Sequence, residues 1–142
     1  MRRVARRRLV FFTWRPERMA EFWLLSEYLP AAARTDATQA IPVQRLCRLL
    51  GADATVRAVP VPYDCIDGFG AAYWRRPETY LDPDVRAGMS MLAKTDTEAL
   101  APGLQQLADD LRTRRWHHEH ADLLALDALD VGYSTVTVDL VS

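Results

Sequence analysis

The sequence predicts an α/β fold in which a three-stranded mixed sheet, with its last strand antiparallel, is flanked by helices. Residues 8–14, RLVFFTW, are apolar at consecutive positions, which is typical of a strand covered on both faces. Residues 54–65, ATVRAVPVPYDC, form a second strand, which its two prolines confine to a sheet edge. Residues 132–141, GYSTVTVDLV, alternate in polarity, as an antiparallel strand with one buried face does.

Helical segments separate the first two strands. Pro16 suits the first position of a helix, and a helix over residues 16–29 is expected to end at Pro30. Residues 31–38 then form a loop of small residues. A second helix is predicted over residues 41–52, with apolar residues on one face and a glycine near its end.

Two more helices are predicted before the last strand. Asp82 is the expected N-cap of a helix over residues 82–93. Residues 95–116 form an amphipathic helix whose regular part is expected to begin near Pro102. Its apolar face is lined by Leu100, Leu104, Leu107 and Leu111.

Composition and charge exclude several classes of function. The chain has 142 residues, one domain at most, and its 18 basic and 19 acidic side chains give a net charge of −1. Without a positive field, neither nucleic acid nor an anionic membrane is expected as a partner. No apolar run approaches the ~20 residues of a membrane span. The two cysteines form no C-x-x-C pair, which favours a reduced, cytoplasmic setting.

The arginine-rich start of the chain is interpreted as structural. Arg2, Arg3, Arg6 and Arg7 are expected to form the polar face of a helix end. The apolar run that follows them is too short for the central region of a signal peptide.

Three short motifs are also interpreted without chemistry. WHHEH at residues 116–120 has too few ligands for zinc, so a solvated helix end and no metal are expected. Gly68 and Gly70 lack the third glycine of a dinucleotide-binding turn. Cys65 has no histidine near it in the sequence and is expected to be a small buried thiol.

The most informative segment is residues 59–86, VPVPYDCIDGFGAAYWRRPETYLDPDVR. It combines tyrosines, a tryptophan, aspartates and an arginine pair just after a strand, where open α/β sheets bind ligands. Two interpretations remain open at this point: a packed junction between strand and helix, or the wall of a substrate pocket.

Several segments together resemble the carboxy-terminal half of bacterial class I S-adenosylmethionine-dependent methyltransferases. They are RLVFFTW, FWLLSEYLP, the run DCIDGFGAAYWRRPE, LQQLADDLRTRRW and ADLLALDALDVGYSTVTVDL. The resemblance covers essentially all 142 residues, so residues 1–142 are expected to be a single partial domain. The Rossmann-like sheet of that family has seven strands in the order 3-2-1-4-5-7-6, and the resemblance implies that the three predicted strands are strands 5, 6 and 7.

The resemblance also implies where the family's cofactor belongs. The family binds S-adenosylmethionine through a G-x-G-x-G turn and an acidic ribose ligand in its first half, and neither has a matching position here. No cofactor-binding residue is therefore assigned, and this chain alone is not expected to bind S-adenosylmethionine. Arg6, Arg7 and Arg8 stand where the family usually has Pro-Gly-Gly. Strand 5 would have an unpaired side where strand 4 belongs, and such an edge can pair with another chain.

The function implied by the resemblance is methyl transfer to an unknown acceptor, and this half would supply the acceptor side of the site. The candidate substrate-binding residues are those at strand ends: Thr13, Trp14, Tyr63, Asp64, Asp67, Phe69, Tyr73 and Trp74. Their aromatic side chains would shape a pocket, and Asp64 or Asp67 could orient the acceptor or act as a base.

Whether this chain alone is an enzyme is left open by the sequence. A start assigned too late, a truncated or decayed gene, or a partner chain would each account for the missing half. The alternative function is a non-catalytic interaction module, in which the exposed strand edge recruits a second chain or another copy of this one.

Overall fold

The computed structural model describes residues 7–51 and 53–140. The predicted helix end at Arg2, Arg3 and Arg6 lies outside these residues. In chain order, the elements are β1 (Arg8–Trp14), α1 (Pro16–Met19), a π-helical segment (Leu24–Tyr28), α2 (Pro30–Gln39), α3 (Val43–Leu50), β2 (Thr55–Ala58), β3 (Val61–Pro62), a 3-10 helix (Pro77–Leu81), α4 (Pro83–Ala87), α5 (Ser90–Ala93), α6 (Thr97–Arg112), α7 (Arg115–Glu119), a 3-10 helix (Leu123–Ala125), β4 (Ala128–Leu129) and β5 (Tyr133–Asp139).

The three predicted strands form one sheet in the spatial order β1-β5-β2. The last strand, β5, lies in the middle and pairs antiparallel with both neighbours, with Val136 opposite Phe11 on one side and Val56 on the other. The prediction of an α/β chain with an antiparallel last strand is confirmed. The prediction of a mixed sheet is wrong for the described strands, because both hydrogen-bonded strand pairs in this sheet are antiparallel.

The prediction that the first strand is covered on both faces is wrong for the residues described. Leu9 and Thr13 are buried on one face, but Val10 and Phe12 on the other are 58% and 57% exposed. Helix α3 packs beneath the first face, whereas Val10 and Phe12 belong to neither apolar cluster of the described residues. A run of apolar residues indicates that a strand favours burial on both faces. It does not show that this chain contains an element that packs on each face.

The predicted second strand is broken in two. Strand β2 occupies an edge of the main sheet, as its prolines indicated, but it ends at Ala58. Beyond Pro60, strand β3 pairs with β4 in a separate two-stranded sheet. A proline lacks the N–H that a continuous ladder would require, so the chain changes partners there.

Pro30 begins a helix instead of introducing a loop. The predicted helix over residues 16–29 is divided into α1 and the π-helical segment Leu24–Tyr28. Residues 31–38, predicted to be a loop, belong to α2 with Pro30 at its first position. Proline is favoured at that position because the N–H it lacks has no partner there, and the alanines that follow favour a helix.

The remaining helices follow the sequence more closely. Helix α3 ends at Gly51, whose φ of 110° lies in the range that favours glycine. Asp82 caps α4, and its carboxylate accepts a hydrogen bond of 2.9 Å from the backbone N–H of Asp84. The predicted helix over residues 82–93 is divided into α4 and α5, and α6 begins at Thr97, before Pro102. No helix in the described part of the chain is long and apolar enough to cross a membrane.

Two apolar clusters hold these elements together. The smaller joins α3 to one face of the main sheet through Leu46, Leu50, Val136 and Val138. The larger packs the π-helical segment and α6 against the aromatic residues of the chain, and its largest wholly buried side chains are Trp74, Tyr80 and Trp116. Among the described residues of β1 and β5, Trp14 and Tyr133 connect the opposite face of the sheet to this larger cluster. They lie at the end of β1 and the start of β5.

Candidate functional site

A cavity of about 240 Å³ lies at the carboxyl end of β1. Five parts of the chain contribute to its wall: β1, α2, the turn before Ala71, the junction of α4 with α5, and the first residue of β5. The lining residues are Phe12, Trp14, Asp36, Phe69, Gly70, Gly88, Met89, Ser90, Met91 and Tyr133. Parallel α/β sheets bind ligands at this end of their strands.

Four aromatic side chains form one side of the cavity. Trp14 and Tyr133 are direct partners in the β1–β5 ladder, and Phe12 projects from the same face of β1 as Trp14. The rings of Phe12 and Tyr133 are stacked, with centroids 5.4 Å apart. Phe69 meets Tyr133 edge to face at 5.0 Å. Burial raises the pKa of the Tyr133 hydroxyl, so this ring stays neutral.

Asp36 is the acidic residue of the cavity, and it projects from α2. It is only 6% exposed, and its Oδ2 accepts a hydrogen bond of 2.8 Å from Nε1 of Trp14. Among the described residues, no Lys, Arg or His nitrogen lies within 4.0 Å of its carboxylate. Burial raises the pKa of Asp36, and the hydrogen bond from Trp14 opposes that shift.

The position of Asp36 is fixed from outside the cavity as well. The hydroxyl of Thr95 lies 2.6 Å from that of Thr35, and the Nζ of Lys94 donates to the side chain of Gln39 at 3.3 Å. These contacts tie α2 to the segment that follows α5. The position of the Asp36 carboxylate is therefore set by Trp14 in β1 and by the segment after α5, as well as by the backbone of α2.

Sequence reasoning brought two of these residues together and missed the third. Trp14 and Phe69, both candidates for substrate binding, line the same cavity. Asp36 was assigned to a loop, because a single aspartate in an alanine-rich stretch has no spacing that identifies it. Only the contact with Trp14, 22 residues away, reveals its place.

Two other candidate residues lie in the interior. Thr13 is 7% exposed and faces away from the cavity, because its neighbours Phe12 and Trp14 occupy the other face of β1. Trp74 is wholly buried in the larger cluster, where its Nε1 donates to the carbonyl of Val61 at 2.9 Å. Neither residue lines the cavity.

The other four candidates lie on the loop between β3 and the first 3-10 helix. Asp64 and Asp67 are exposed, and the carboxylate of neither lines the cavity. Tyr63 is 43% exposed, with the Arg75 guanidinium 4.6 Å from its ring centroid.

Tyr73 is half-buried and lies against Arg76, whose guanidinium is 4.8 Å from the ring centroid. Tyr63 and Tyr73 therefore each make a cation–π contact, whereas Phe69 and Gly70 of the same segment line the cavity, so the two interpretations that the sequence left open both remain.

A second cavity, of about 280 Å³, adjoins the predicted helix end at residues 116–120. Nε2 of His120 lies 3.0 Å from a carboxylate oxygen of Glu27 in its wall. The prediction of a solvated helix end holds for His118 and Glu119, which are exposed, but it is wrong for Trp116, which is wholly buried, and for His120, whose side chain is only 12% exposed. In residues 7–51 and 53–140, no three His, Cys, Asp or Glu side chains are grouped so as to hold a metal ion.

The fold is similar to that of one solved protein at high coverage. Its crystal structure, from Anabaena variabilis, is named as a putative methyltransferase from an antibiotic biosynthesis pathway. The two structures align with a TM-score of 0.84 and 30% sequence identity over 94% of this chain. No protein-family model matches the sequence, and no curated protein matches it either.

The match covers 55% of the Anabaena protein, so this chain spans about half the length of that relative. The similarity extends over nearly all of the present fold. The chain therefore has a methyltransferase-like α/β fold, and the aromatic cavity with Asp36 lies at the carboxyl end of its strand β1.

Proposed function

We propose that this chain forms the acceptor-binding part of a S-adenosylmethionine-dependent methyltransferase. The observation that carries the proposal is the cavity at the carboxyl end of β1, in a fold similar to that of the Anabaena protein. The residues proposed to contact the acceptor are Trp14, Asp36 and Phe69. The reduced, cytoplasmic setting expected from the sequence is part of the same proposal, since Cys47 and Cys65 are both free thiols.

The cofactor itself does not fit the residues of this chain. The sequence has no G-x-G-x-G turn, and the acidic side chain that lines the cavity is held by Trp14. A ribose would require a carboxylate beside a glycine-rich turn that cradles the rest of the cofactor. We therefore assign no cofactor-binding residue and expect the cofactor site to be completed by other residues.

The outer edge of β1 is the place proposed for that completion. The carbonyl of Arg7 accepts from the N–H of Leu140 at 2.8 Å, and the N–H of Arg15 donates to the carbonyl of Gly132 at 3.0 Å. Because backbone groups alternate along an antiparallel strand, those of Val10 and Phe12 point away from β5. Nothing in residues 7–51 and 53–140 pairs with this edge.

The exposed face beside that edge supports the same assignment. Val10 and Phe12 are each more than half exposed, although both are large apolar residues on a strand. A strand added at the edge would satisfy the free backbone groups, and an element packed above it would cover both side chains. We propose that this addition carries the cofactor, whether it belongs to the same polypeptide or to a second chain.

A chimera tests the proposed function. The part of the Anabaena protein that this chain does not match is joined to it in the order found in that protein, and S-adenosylmethionine is added with a panel of small amines, alcohols and phenols. We expect the chimera to bind S-adenosylmethionine and to release S-adenosylhomocysteine with at least one acceptor. Asp36→Asn in the chimera should reduce that release by about 10²-fold or more.

Asp64→Asn is the matched control, because Asp64 is an exposed carboxylate that does not line the cavity. It should leave the release rate of the chimera unchanged. A chimera that binds S-adenosylmethionine but methylates no acceptor would contradict the proposal. Greater loss in Asp64→Asn than in Asp36→Asn would move the acceptor site to the loop after β3.

The same edge of β1 favours a second candidate function, a non-catalytic interaction module. An unpaired apolar strand can add a strand from another protein or from another copy of this chain. This candidate requires association but no methyl transfer. It is favoured if the chain forms a stable complex and the chimera is inactive with every acceptor.

A further inference from the structure

The cavity at the carboxyl end of β1 combines two features that recognise the same chemical group. One is the carboxylate of Asp36, which is 6% exposed and has no cationic partner in the described part of the chain. The other is a wall of aromatic rings, supplied by Phe12, Trp14, Phe69 and Tyr133.

A buried carboxylate needs a compensating partner. Its Oδ2 accepts the indole hydrogen of Trp14, but this leaves Oδ1 without a donor among the described residues. Oδ1 is not among the buried unpartnered side-chain atoms of the described residues, so a cation or a further donor can reach it and offset the hydration that the carboxylate loses through partial burial. Asp36 lines the cavity, so a ligand there can reach the remaining oxygen.

The aromatic wall indicates which partner is favoured. The face of an aromatic ring attracts a cation, most strongly for tryptophan, and organic ammonium groups are bound between such rings in many proteins. Trp14 supplies its Nε1–H to Asp36, which leaves the ring system itself for the ligand. The stacked pair of Phe12 and Tyr133 and the perpendicular ring of Phe69 extend this surface.

From this arrangement we infer that the cavity binds an organic ammonium group, with Asp36 as its counter-ion and the aromatic side chains around its alkyl substituents. Resting on the proposed function, the inference identifies the methyl acceptor as an amine: the bound ammonium would give one proton to Asp36, and its freed lone pair would take the sulfonium methyl while S-adenosylhomocysteine leaves. A neutral hydroxyl compound is the competing ligand, since it could also donate a hydrogen bond to Asp36. It would gain less from the aromatic wall, because it carries no charge.

The size of the cavity limits the ligand. At about 240 Å³ it is smaller than the ~300–1,000 Å³ of sites that enclose drug-sized ligands. A small amine, or the amino end of a larger molecule, therefore fits.

A pair of isosteric probes tests the inference on the full chain. Choline carries a quaternary ammonium group, and 3,3-dimethylbutanol has the same shape with carbon in place of nitrogen and no charge. Each is titrated into ¹⁵N-labelled protein, and the indole N–H resonance of Trp14 is followed, the chain having four tryptophans. We expect choline to shift this resonance with an affinity at least about tenfold greater than that of dimethylbutanol.

Two variants assign the binding to the cavity. Asp36→Asn should weaken choline binding by about tenfold or more while leaving dimethylbutanol unchanged. Asp64→Asn should change neither affinity, since this exposed aspartate does not line the cavity. If Asp36→Asn fails to fold, the comparison of choline with dimethylbutanol on the unaltered chain still tests whether the cavity prefers an ammonium group.

Two results would overturn the inference. One is equal affinity for the two probes, which would indicate an apolar pocket or a site for hydroxyl acceptors. The other is no shift of the Trp14 resonance by choline up to about 0.1 M, a concentration at which even a weak specific site is occupied. The chimera assay separates the inference from the proposed function. If the chimera methylates phenols and the two probes bind equally well, the inference alone is contradicted. If choline binds selectively but the chimera is inactive, the proposed function alone is contradicted.

Discussion

Trp14 and Asp36 are joined by a hydrogen bond of 2.8 Å between the indole Nε1 and the carboxylate Oδ2. It links the last residue of β1 to the interior of α2, and both residues line the cavity. The bond therefore has a structural effect and a functional one. It fixes α2 beside the sheet, and it directs the carboxylate toward the space that we assign to the ligand.

Trp14→Phe is expected to lower the free energy of unfolding by about 1–3 kcal/mol at pH 8, because a buried carboxylate loses its donor. Urea denaturation followed by circular dichroism measures the change. Part of the loss comes from the smaller ring, so the same substitution is made in an Asp36→Asn background. The double-mutant cycle isolates the interaction between the two side chains, which should amount to at least about 0.5 kcal/mol. Additive effects of the two substitutions would show that the hydrogen bond contributes nothing to stability.

Asp36→Asn is expected to change how stability depends on pH. Burial raises the pKa of Asp36 above its ordinary value of 3.8, so the folded protein holds this proton more tightly than the unfolded chain. The stabilising effect of protonation is complete below pH 3.8 and is lost as the pH rises through the raised pKa. Asparagine does not titrate, and its side-chain carbonyl can still accept from Trp14.

Between pH 3 and pH 8, the stability of Asp36→Asn relative to the original chain should therefore increase until the pH exceeds the raised pKa of Asp36 and then stay level. Thermal unfolding of both proteins over this range measures the difference. The ion pair of Arg8 with Asp139 lowers the pKa of Asp139 and is present in both proteins. Its contribution to the pH dependence of stability therefore cancels in the difference. A difference that does not vary with pH would show that Asp36 titrates as an ordinary carboxyl.

How far the sequence predicts the fold depends on the range of the interactions involved. The alternation in β5 and the caps at Asp82 and Gly51 are local patterns, and the structure confirms them. Pro30 was misinterpreted because proline both ends one helix and begins the next. The uncovered face at Val10 has no local cause, because the pattern specifies an apolar strand and says nothing about what packs on it.

The site was predictable only in part, for a related reason. Trp14 and Phe69 are aromatic residues near strand ends, so the sheet's topology suggested them. Trp74 is aromatic too, but its burial depends on packing among distant helices. The role assigned to Asp36 depends on its hydrogen bond with Trp14, 22 residues away in the sequence. The spacing of residues around Asp36 does not predict that contact.

Gly103 marks a close approach between α6 and the end of the π-helical segment. A Cβ atom at this position would overlap the backbone carbonyl of Tyr28 and lie 2.9 Å from Cδ2 of Leu29. Backbone cannot yield as a flexible side chain does, so we expect Gly103→Ala to cost about 3 kcal/mol. Gly68→Ala is the matched control, because the nearest atom to its added Cβ would be 3.7 Å away. Equal midpoints of urea denaturation for the two variants would show that α6 can shift without loss.

Val10→Lys is expected to weaken any association through the edge of β1. Val10 is 58% exposed beside that edge, and lysine on an edge strand disfavours pairing with another strand. Sedimentation velocity over a range of concentrations measures the association of the original chain and the variant. Ile66→Lys, at an apolar residue that is 91% exposed on a loop, is the control and should leave the association unchanged. An equal effect of both substitutions would indicate non-specific apolar contact.

Tyr28→Phe tests the other buried carboxylate, at Asp110. The Tyr28 hydroxyl donates to Oδ2 of Asp110 at 2.8 Å, and Nε2 of Gln106 donates to Oδ1 at 2.8 Å. Burial raises the pKa of the Tyr28 phenol, and the hydrogen bond to Asp110 adds to that shift, so the hydroxyl keeps its hydrogen. Asp110 is 6% exposed, so its carboxylate has little contact with water. Without the Tyr28 hydroxyl, Oδ2 has no comparable hydrogen-bond donor. Arg115 does not replace it, because its nearest nitrogen is 3.9 Å away and lies beside the other oxygen, Oδ1.

We therefore expect Tyr28→Phe to lower the free energy of unfolding by about 1–3 kcal/mol. Tyr63→Phe removes a hydroxyl from a half-exposed ring and keeps the ring beneath Arg75, so its effect should stay within about 0.5 kcal/mol. Urea denaturation of both variants gives the comparison. Because Tyr28 precedes Pro30, where α2 begins, a loss confined to Tyr28→Phe would show that α6 anchors the segment leading to Asp36. Similar small effects in both variants would assign that anchoring to apolar packing alone.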